Sequence, residues 1–192
     1  MRVVAGGDAQ VTEWALAAGR GDQAAAAAFV RATQPDVWRF VAHLAGRADA
    51  DDLTQETYVR ALRNLPGFAG RSTARTWLFT IARRAVVDHF RAAAARPRLA
   101  AVEDWEAAVD AARSGRGSGV EDRVVLRQLL AGLPVERREA FVATQVLGLS
   151  YDEAAQVCDC PVGTIRSRVA RAREDLVAAM AETTGSRARR SG

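Results

Sequence analysis

The stretch CPVGTIRSRVARAR, residues 160–173, carries four arginines and no acidic residue. Apolar residues recur within and just after it at intervals of three and four: Val162, Ile165, Val169, Ala172 and Leu176. This spacing predicts a helix with one apolar inner face, and it leaves the arginines outside. Pro161 suits the first position of such a helix, where its missing N–H needs no partner. The stretch therefore predicts an amphipathic helix with an unbalanced positive face.

A second, shorter helix is predicted just before this one. Ser150 and Glu153 have the spacing of a capping box, and Ala154 and Ala155 are small enough to let another helix approach closely. Two helices joined by the short turn CDC have the geometry that places the second helix in a DNA major groove. A hairpin with a solvated arginine face is the alternative, but solvated faces usually mix charges and no acid follows before Glu174. The pattern favours DNA binding.

Charge is unevenly distributed along the chain of 192 residues, which has 27 basic residues, all of them arginine, and a net charge of +4. Residues 71–98 contain seven arginines and one acid, and residues 161–173 contain four arginines and none. Between them, residues 99–119 contain two arginines and four acids, namely Glu103, Asp104, Glu106 and Asp110. Two basic clusters around an acidic stretch indicate a polyanionic partner contacted at two separate places.

Helical periodicity extends over most of the chain, and strand patterns are nearly absent. We therefore predict an all-α fold of two small helical domains joined by a flexible linker, the second domain containing the helix-turn-helix. Glycine and serine near the end of the acidic stretch favour the linker. The predicted boundaries are 10–97 for the first domain, 98–120 for the linker, 121–181 for the second domain and 182–192 for a disordered basic tail.

Capping residues and helix breakers predict the helix ends in the first domain. Thr12 is expected to cap a short first helix, and Asp22 a second helix that ends before Pro35. A third helix then stops at Gly46, and Asp49 caps a fourth. Beyond a turn-rich loop, a longer helix is predicted to be apolar on one face and basic on the other, where three arginines fall: Arg83, Arg84 and Arg91.

The sequence offers no catalytic constellation. It has no glycine-rich phosphate loop after a strand and no nucleophile elbow, and His43 and His89 have no partners at useful spacing. Cys158 and Cys160 are too close for an unstrained disulfide and lack the further ligands of a zinc site. We therefore expect packing cysteines, no catalytic residue, no metal and no cofactor. The polar start of the chain and the lack of a long apolar run favour a cytoplasmic protein without membrane insertion.

Three blocks of the sequence resemble a known family. GLSYDEAA at residues 148–155, together with the stretch 160–173, resembles region 4 of the sigma-70-family initiation factors, in particular their small extracytoplasmic-function group (group IV). DADDLTQETYVRAL at 49–62 resembles region 2.2, and GRSTARTWLFTIARRAVVDHFR at 70–91 resembles regions 2.3 and 2.4. The resemblance implies a sigma region 2 domain followed by a sigma region 4 domain. It also implies an alternative sigma factor, which binds core bacterial RNA polymerase and directs promoter-specific transcription initiation.

The resemblance implies two contacts with polymerase. In such factors the region 2.2 helix docks on the clamp helices of the largest subunit, and the flap of the second-largest subunit is a further contact. The matching clamp-docking residues are Asp52, Leu53, Gln55, Glu56 and Arg60. The helix dipole alone explains acids in the first turn, such as Asp51 and Asp52. It does not explain Gln55 and Glu56, which lie too far into the helix to gain from it.

The resemblance also assigns DNA contacts. Melted minus-10 DNA would be held by Phe68, Arg71, Ser72, Thr73, Arg75, Thr76, Trp77, Arg83, Arg84 and Arg91. Minus-35 DNA would be read by Thr164, Arg166, Ser167, Ala170 and Arg171, with Arg168 and Arg173 at phosphates. Melted DNA needs aromatic rings for stacking and a basic groove for its backbone. Trp77 lies on the apolar arc and is expected to pack beneath the loop, whereas Phe68 either stacks on a base or anchors the loop.

Three questions stay open at the level of sequence. An autonomous helix-turn-helix regulator that binds duplex operator DNA is the second candidate function, although it would need neither the acid–glutamine helix nor the basic loop. The acidic linker is either a nucleic-acid mimic inside polymerase or a passive tether. Members of the family are often held by an anti-sigma factor, which would be a further partner.

Overall fold

The structure is a computed structural model that describes residues 5–95 and 126–190, and no strand occurs in either segment. The first segment contains α1 (Ala5–Gly19), α2 (Gln23–Ala45), α3 (Ala50–Asn64), a 3₁₀ turn (Leu65–Gly67) and α4 (Ala74–Ala95). The second contains α5 (126–131), α6 (Val135–Phe141), a π-helical turn (Val142–Val146), α7 (Tyr151–Cys158) and α8 (Val162–Arg190). The all-α prediction is thus confirmed, whereas the predicted linker at 98–120 lies outside the described residues.

The core of the first segment is built around buried aromatic side chains. Phe29 and Phe40 of α2 and Phe79 of α4 are almost wholly shielded from solvent. The rings of Phe40 and Phe79 meet edge to face with their centroids 5.3 Å apart, an arrangement that adds about 0.5–1.5 kcal/mol to the burial itself. This contact fixes α4 across α2 and so positions the basic face of α4.

The helix α2 continues through Pro35, where the sequence predicts a break. A proline inside a helix costs about 3 kcal/mol, because one backbone hydrogen bond is lost. Pro35 lies on the exposed side, and beyond it Val37, Phe40 and Val41 are wholly buried. Burying each of these side chains gains about 1.5–3 kcal/mol, which together exceeds the cost of the proline. Tertiary packing therefore overrides the local signal, and the two predicted helices are one.

Two of the three predicted caps in this segment act differently from the expectation. Asp22 does cap α2, since its carboxylate accepts a hydrogen bond from the N–H of Ala25 at 3.0 Å. Thr12 lies inside α1 instead of starting it, and its hydroxyl accepts from the N–H of Ala74 at 3.0 Å. It therefore caps α4, a helix 62 residues away in sequence. Asp49 sits at the start of α3 but makes no capping hydrogen bond.

The predicted helix-turn-helix is present in the second segment. Ser150 and Glu153 form both hydrogen bonds of the capping box that starts α7, which confirms the sequence prediction. The helix ends at Asp159, whose φ of 52° is left-handed and reverses the chain toward α8. The apolar face of α8 is buried as predicted, with Ile165 and Val169 nearly inaccessible. The backbone of α8 stays helical to Arg190, where the sequence predicts a disordered tail, since an existing helix propagates cheaply.

The two segments pack against each other. α4 contacts α7, and α2 contacts α6, so most of the buried apolar side chains of the two segments form one continuous hydrophobic cluster. A smaller cluster within the second segment is formed by Leu130, Leu133, Ala172 and Leu176. Phe79 and Ala82 of the first segment belong to the same cluster as Leu147, Ala154 and Val157 of the second. The two domains predicted from sequence thus share a core in this conformation.

Candidate nucleic-acid interface

The outer face of α8 is available to a partner. Its predicted minus-35 residues are exposed or half-buried: Thr164, Arg166, Ser167, Arg168, Ala170, Arg171 and Arg173. Two of the arginines are anchored, since Arg173 donates to Gln145 Oε1 at 2.9 Å and Arg168 lies 3.6 Å from the sulfur of Cys160. Arg166 and Arg171 stand on the exposed side of the helix. An exposed guanidinium matches a guanine edge or a phosphate bidentately.

A buried thiol lies at the turn before α8. Cys158 is buried at the end of α7, and burial raises the pKa of its thiol to about 12, with the nearby Glu139 carboxylate adding to the effect. The thiol is therefore neutral at physiological pH and acts as a small packing group. Among the described residues, no group of three or more histidine, cysteine or acidic side chains could hold a metal.

The basic face of α4 is only partly available. Arg71, in the loop before the helix, and Arg84 and Arg91, on the helix, are exposed, and Ser72 is half-buried. Arg84 and Arg91 are seven residues apart, so they lie nearly above each other along the helix. Arg84 and Arg91 therefore form a basic strip on the outside of α4.

Arg75, by contrast, is used inside the protein. Its guanidinium donates to Asp36 at 2.8 Å and to Asp8 at 3.4 Å, and it lies over the ring of Phe79 at 5.5 Å. It also donates to the backbone carbonyl of Leu147, in the second segment, at 3.2 Å. The side chain is only 7% exposed, so Arg75 is unavailable to DNA in this conformation.

The hydroxyls at the start of α4 bind an acid of the second segment. Thr76 donates to Glu153 Oε1 at 3.1 Å, and the Thr73 hydroxyl lies 3.3 Å from the same oxygen. Burial alone would raise the pKa of Glu153, but hydrogen bonds from Ser150, Thr76 and Thr73 outweigh it and hold the pKa below its ordinary value. Glu153 therefore stays ionised while it caps α7 and holds the first turn of α4.

A second acid covers the middle of α4. Arg83 Nε donates to Glu139 Oε2 at 3.0 Å, and the Glu139 side chain is only 3% exposed. A carboxylate buried this deeply needs a charged partner, and Arg83 supplies it. The predicted minus-10 residues Thr73, Arg75, Thr76 and Arg83 thus all contact the second segment.

The two aromatic residues near the loop stack on each other. The rings of Phe68 and Trp77 have their centroids 4.9 Å apart with a tilt of 41°. Both are half-buried and pack against the core cluster. Trp77 packs beneath the loop, as its position on the apolar arc predicts. In this conformation Phe68 packs as an anchor of the loop, which is one of its two predicted roles.

The predicted clamp-docking residues lie on α3. Asp52, Gln55 and Glu56 are exposed, and Arg60 bridges Glu56 at 2.7 Å and Asp88 of α4 at 2.6 Å. Leu53 is different, because it is only 6% exposed and belongs to the core. The exposed members leave one polar strip on the outside of α3.

Apolar residues beside this strip were missed by sequence reasoning. Val59 and Leu62 are exposed on α3, and with Trp38 of α2 they line a shallow groove that also includes Gln55. The indole N–H of Trp38 donates to Asp51 at 2.7 Å, which fixes one wall of the groove. Val59 and Leu62 lie outside the apolar stripe of α3, and apolar residues at such positions indicate an exposed apolar surface. In the described segments, no helix is both long enough and apolar enough to cross a membrane.

Comparison with known families agrees with this geometry. The family model described as sigma-70 region 2 matches residues 29–96, and the model described as sigma-70 region 4 matches residues 123–176. Among curated proteins, the chain is 52% identical over 178 residues to the ECF RNA polymerase sigma factor SigC of Mycobacterium tuberculosis, an alignment that covers 93% of this chain and 95% of the relative.

Two solved structures are also similar. CnrH in complex with the cytosolic domain of CnrY superposes with a TM-score of 0.70 at 24% identity, covering 90% of this chain and 98% of that chain, and it supports the fold. The sigma factor RpoE in complex with the anti-sigma factor NepR, from Bartonella quintana, gives a TM-score of 0.59 at 28% identity, covering 77% and 91%. The fold, the exposed basic helix and the matched regions agree, and the chain belongs to the extracytoplasmic-function group of the sigma-70 family.

Proposed function

We propose that this alternative sigma factor reads minus-35 duplex DNA with the exposed face of α8. The observation that carries the proposal is the outer side of α8, where Arg166 and Arg171 are exposed while Ile165 and Val169 are buried behind them. Between the arginines, Ser167 donates its hydroxyl to the carbonyl of Thr164 at 2.9 Å, a bond within the helix that holds this small side chain close to the backbone. A helix of this kind fits the major groove.

The minus-10 element is assigned to α4 and the loop before it. Arg71, Arg84 and Arg91 provide exposed charge for a DNA backbone, and the Phe68–Trp77 pair offers aromatic surface at the edge of the loop. The hydroxyls of this loop and of the first turn of α4 have the size and polarity to read a base edge. Stacking and backbone contacts of this type suit a melted strand better than a duplex.

The polar strip and the apolar groove of α3 are assigned to the clamp helices of the largest polymerase subunit. Asp52, Gln55 and Glu56 supply the polar rim, and Val59 and Leu62 supply exposed apolar surface next to it. A protein interface typically combines such an apolar centre with a polar rim. The flap of the second-largest subunit is assigned to the second segment. The chain itself performs no catalysis, and it acts in the cytoplasm, where core polymerase and promoter DNA are found.

An anti-sigma factor is a further proposed partner. The Bartonella quintana sigma factor that this chain resembles was solved in complex with the anti-sigma factor NepR. The similarity between the two sigma factors supports a regulator of the same kind here.

The test of polymerase binding is Glu56→Arg. The change replaces an acid that pairs with Arg60 by a second arginine beside it, so the rim of the interface acquires repulsion. We expect binding to core RNA polymerase to weaken by about tenfold, which corresponds to about 1.4 kcal/mol. The measurement is titration of labelled sigma factor with core enzyme, together with transcription from promoters found by genome-wide start-site mapping.

Glu13→Arg is the matched control, because Glu13 is exposed on α1, away from the proposed interface. It should bind core enzyme as the wild type does. Equal binding by the Glu56→Arg protein would contradict the docking role of α3. If the wild-type chain does not bind core enzyme but binds operator DNA as a dimer, the proposal is wrong and the chain is an autonomous regulator.

A further inference from the structure

A chain of hydrogen bonds runs from the π-helical turn to the outer side of α8. The buried Thr144 hydroxyl donates to the carbonyl of Ala140 at 2.8 Å, and it accepts from Gln145 Nε2 at 3.0 Å. Gln145 Oε1 in turn accepts from the Arg173 guanidinium at 2.9 Å. Gln145, an exposed residue outside the predicted DNA contacts, thus joins a buried hydroxyl to an arginine of the proposed reading helix.

The chemistry of the three groups fixes the orientation of the glutamine amide. A guanidinium carries only donors, so it has to meet the amide oxygen. The amide nitrogen therefore faces Thr144, whose own hydroxyl proton is used on the carbonyl of Ala140. Thr144 and Gln145 lie in the π-helical turn Val142–Val146, and turns of this kind occur frequently at functional sites. Gln145 cannot flip its amide without losing both hydrogen bonds.

Arg173 lies where a phosphate contact is expected. It is exposed and follows Arg166 by seven residues, so it stands about two turns further along the same side of α8. The residues near the start of a recognition helix meet base edges, while contacts to the DNA backbone fix the helix in the groove. The partner of Arg173 is an uncharged amide, whereas Arg83 is paired with the Glu139 carboxylate. Arg173 is therefore held in place with its positive charge still available.

We propose that Gln145 is a positioning residue that holds the Arg173 guanidinium ready for a backbone phosphate of the minus-35 duplex. The inference rests on the proposed function, because it assumes that α8 faces the duplex. An arginine loses much side-chain freedom when it is fixed in a contact. Holding the guanidinium before DNA arrives reduces this cost, so the affinity rises although Gln145 itself adds no contact to a base.

The experiment uses the full chain assembled with core polymerase. The probe is a fluorescein-labelled duplex that contains the upstream element of a promoter found by start-site mapping and ends before the minus-10 element. Gln145→Met keeps the length and the helix propensity of the side chain while it removes both hydrogen bonds. We expect the Kd for the duplex to rise about threefold. The melting temperature of the free chain should not change, because Gln145 is exposed.

Arg173→Ala completes a double-mutant cycle. This change should raise the Kd by more than Gln145→Met does, and it should lower the slope of log Kd against log salt by about 0.9, the effect of losing one phosphate contact. In the Arg173→Ala background, Gln145→Met should have no further effect, because no guanidinium is left to hold. A general structural role for Gln145 would instead give the same loss in both backgrounds.

Gln128→Met is the matched control. Gln128 is exposed on α5, so the variant makes the same chemical change in the same segment, away from the hydrogen bonds to Arg173. It should bind the duplex as the wild type does, and both glutamine variants should bind core polymerase equally.

The outcomes separate this inference from the function on which it rests. If Gln145→Met binds the duplex as tightly as the wild type, or weakens binding equally with and without Arg173, the positioning role is wrong, even where Arg171→Ala shows that α8 reads the duplex. If Gln145→Met and Arg173→Ala behave as expected but Arg171→Ala leaves binding unchanged, the positioning role is upheld and the proposed reading of bases by Arg171 fails.

Discussion

Arginines of α4 and of α8 carry the same charge, yet the fold pairs two of them on α4 with carboxylates and leaves two on α8 exposed. On α8, Arg166 and Arg171 are exposed. On α4, Arg75 and Arg83 are neutralised by carboxylates from other elements, at 2.8 Å and 3.0 Å respectively. A basic cluster in a sequence therefore indicates affinity for a polyanion only for those arginines that the fold leaves unpaired.

The largest expected effect that tests this comparison is the loss of stability in the Arg75→Ala variant. Removing the guanidinium leaves Asp8 without its cation and Asp36 with Arg39 alone, and it removes the contact with Phe79. We expect the free energy of unfolding to fall by about 3 kcal/mol, the lower end of the loss caused by removing one partner of a buried ion pair, because Arg39 still pairs with Asp36. Urea denaturation followed by circular dichroism measures the loss.

Arg84→Ala is the control for this change, since Arg84 is exposed on the same helix. Its effect on unfolding should stay within about 0.5 kcal/mol. If the two variants were equally stable, the division of α4 into structural and available arginines would be wrong.

A smaller effect, on DNA instead of on stability, is expected for Arg171→Ala. The residue is exposed on α8, and the loss of one base contact should weaken promoter docking by about 1–3 kcal/mol. Footprinting of the upstream element with holoenzyme measures the change. Arg84→Ala should instead impair strand opening, detected by permanganate reactivity, and leave upstream protection in place. Unchanged upstream protection in the Arg171→Ala protein would remove Arg171 from the reading face.

The smallest effect concerns pH. Glu153 has a pKa below its ordinary value of 4.5, so its contribution to stability is present above that pH and is lost as the pH falls through the lowered pKa. The unfolding free energies of the wild type and Glu153→Gln should differ by less than about 1 kcal/mol near neutrality, because the side chain is half-exposed. This difference should shrink in denaturation series below pH 4.5. A gap that widens on acidification would show that Glu153 is not held as an anion.

Local sequence patterns were sufficient for the helix-turn-helix. The capping box joins residues three apart, and the apolar face of α8 recurs every three or four residues, so both signals are complete within one helix. The buried apolar face and the exposed basic face of α8 could therefore be predicted before any tertiary contact was known. The same holds for the cap at Asp22.

Contacts between distant residues could not be inferred in this way. Glu153 lies 77 residues from Thr76 and 80 from Thr73 in the sequence. The pattern of α4 alone therefore does not indicate that an acid binds these hydroxyls. The continuity of α2 through Pro35 likewise depends on which side of the helix faces the core. Leu53 matched the docking motif by position, but its burial follows from the packing of α3.

The hydrogen bond from Ala74 to Thr12 links the amino-terminal helix to the element assigned to melted DNA. Residues 5–19 precede the segment 29–96 that the region 2 model matches, yet they supply the cap of α4 and, through Asp8, one carboxylate beside Arg75. A chain shortened to begin at residue 29 would keep every residue that the family models match. It would still lose the Thr12 cap and the Asp8 carboxylate at the first turn of α4. Substitutions in α1 are therefore expected to alter the start of α4, the element assigned to melted DNA, although no residue of α1 is assigned a DNA contact.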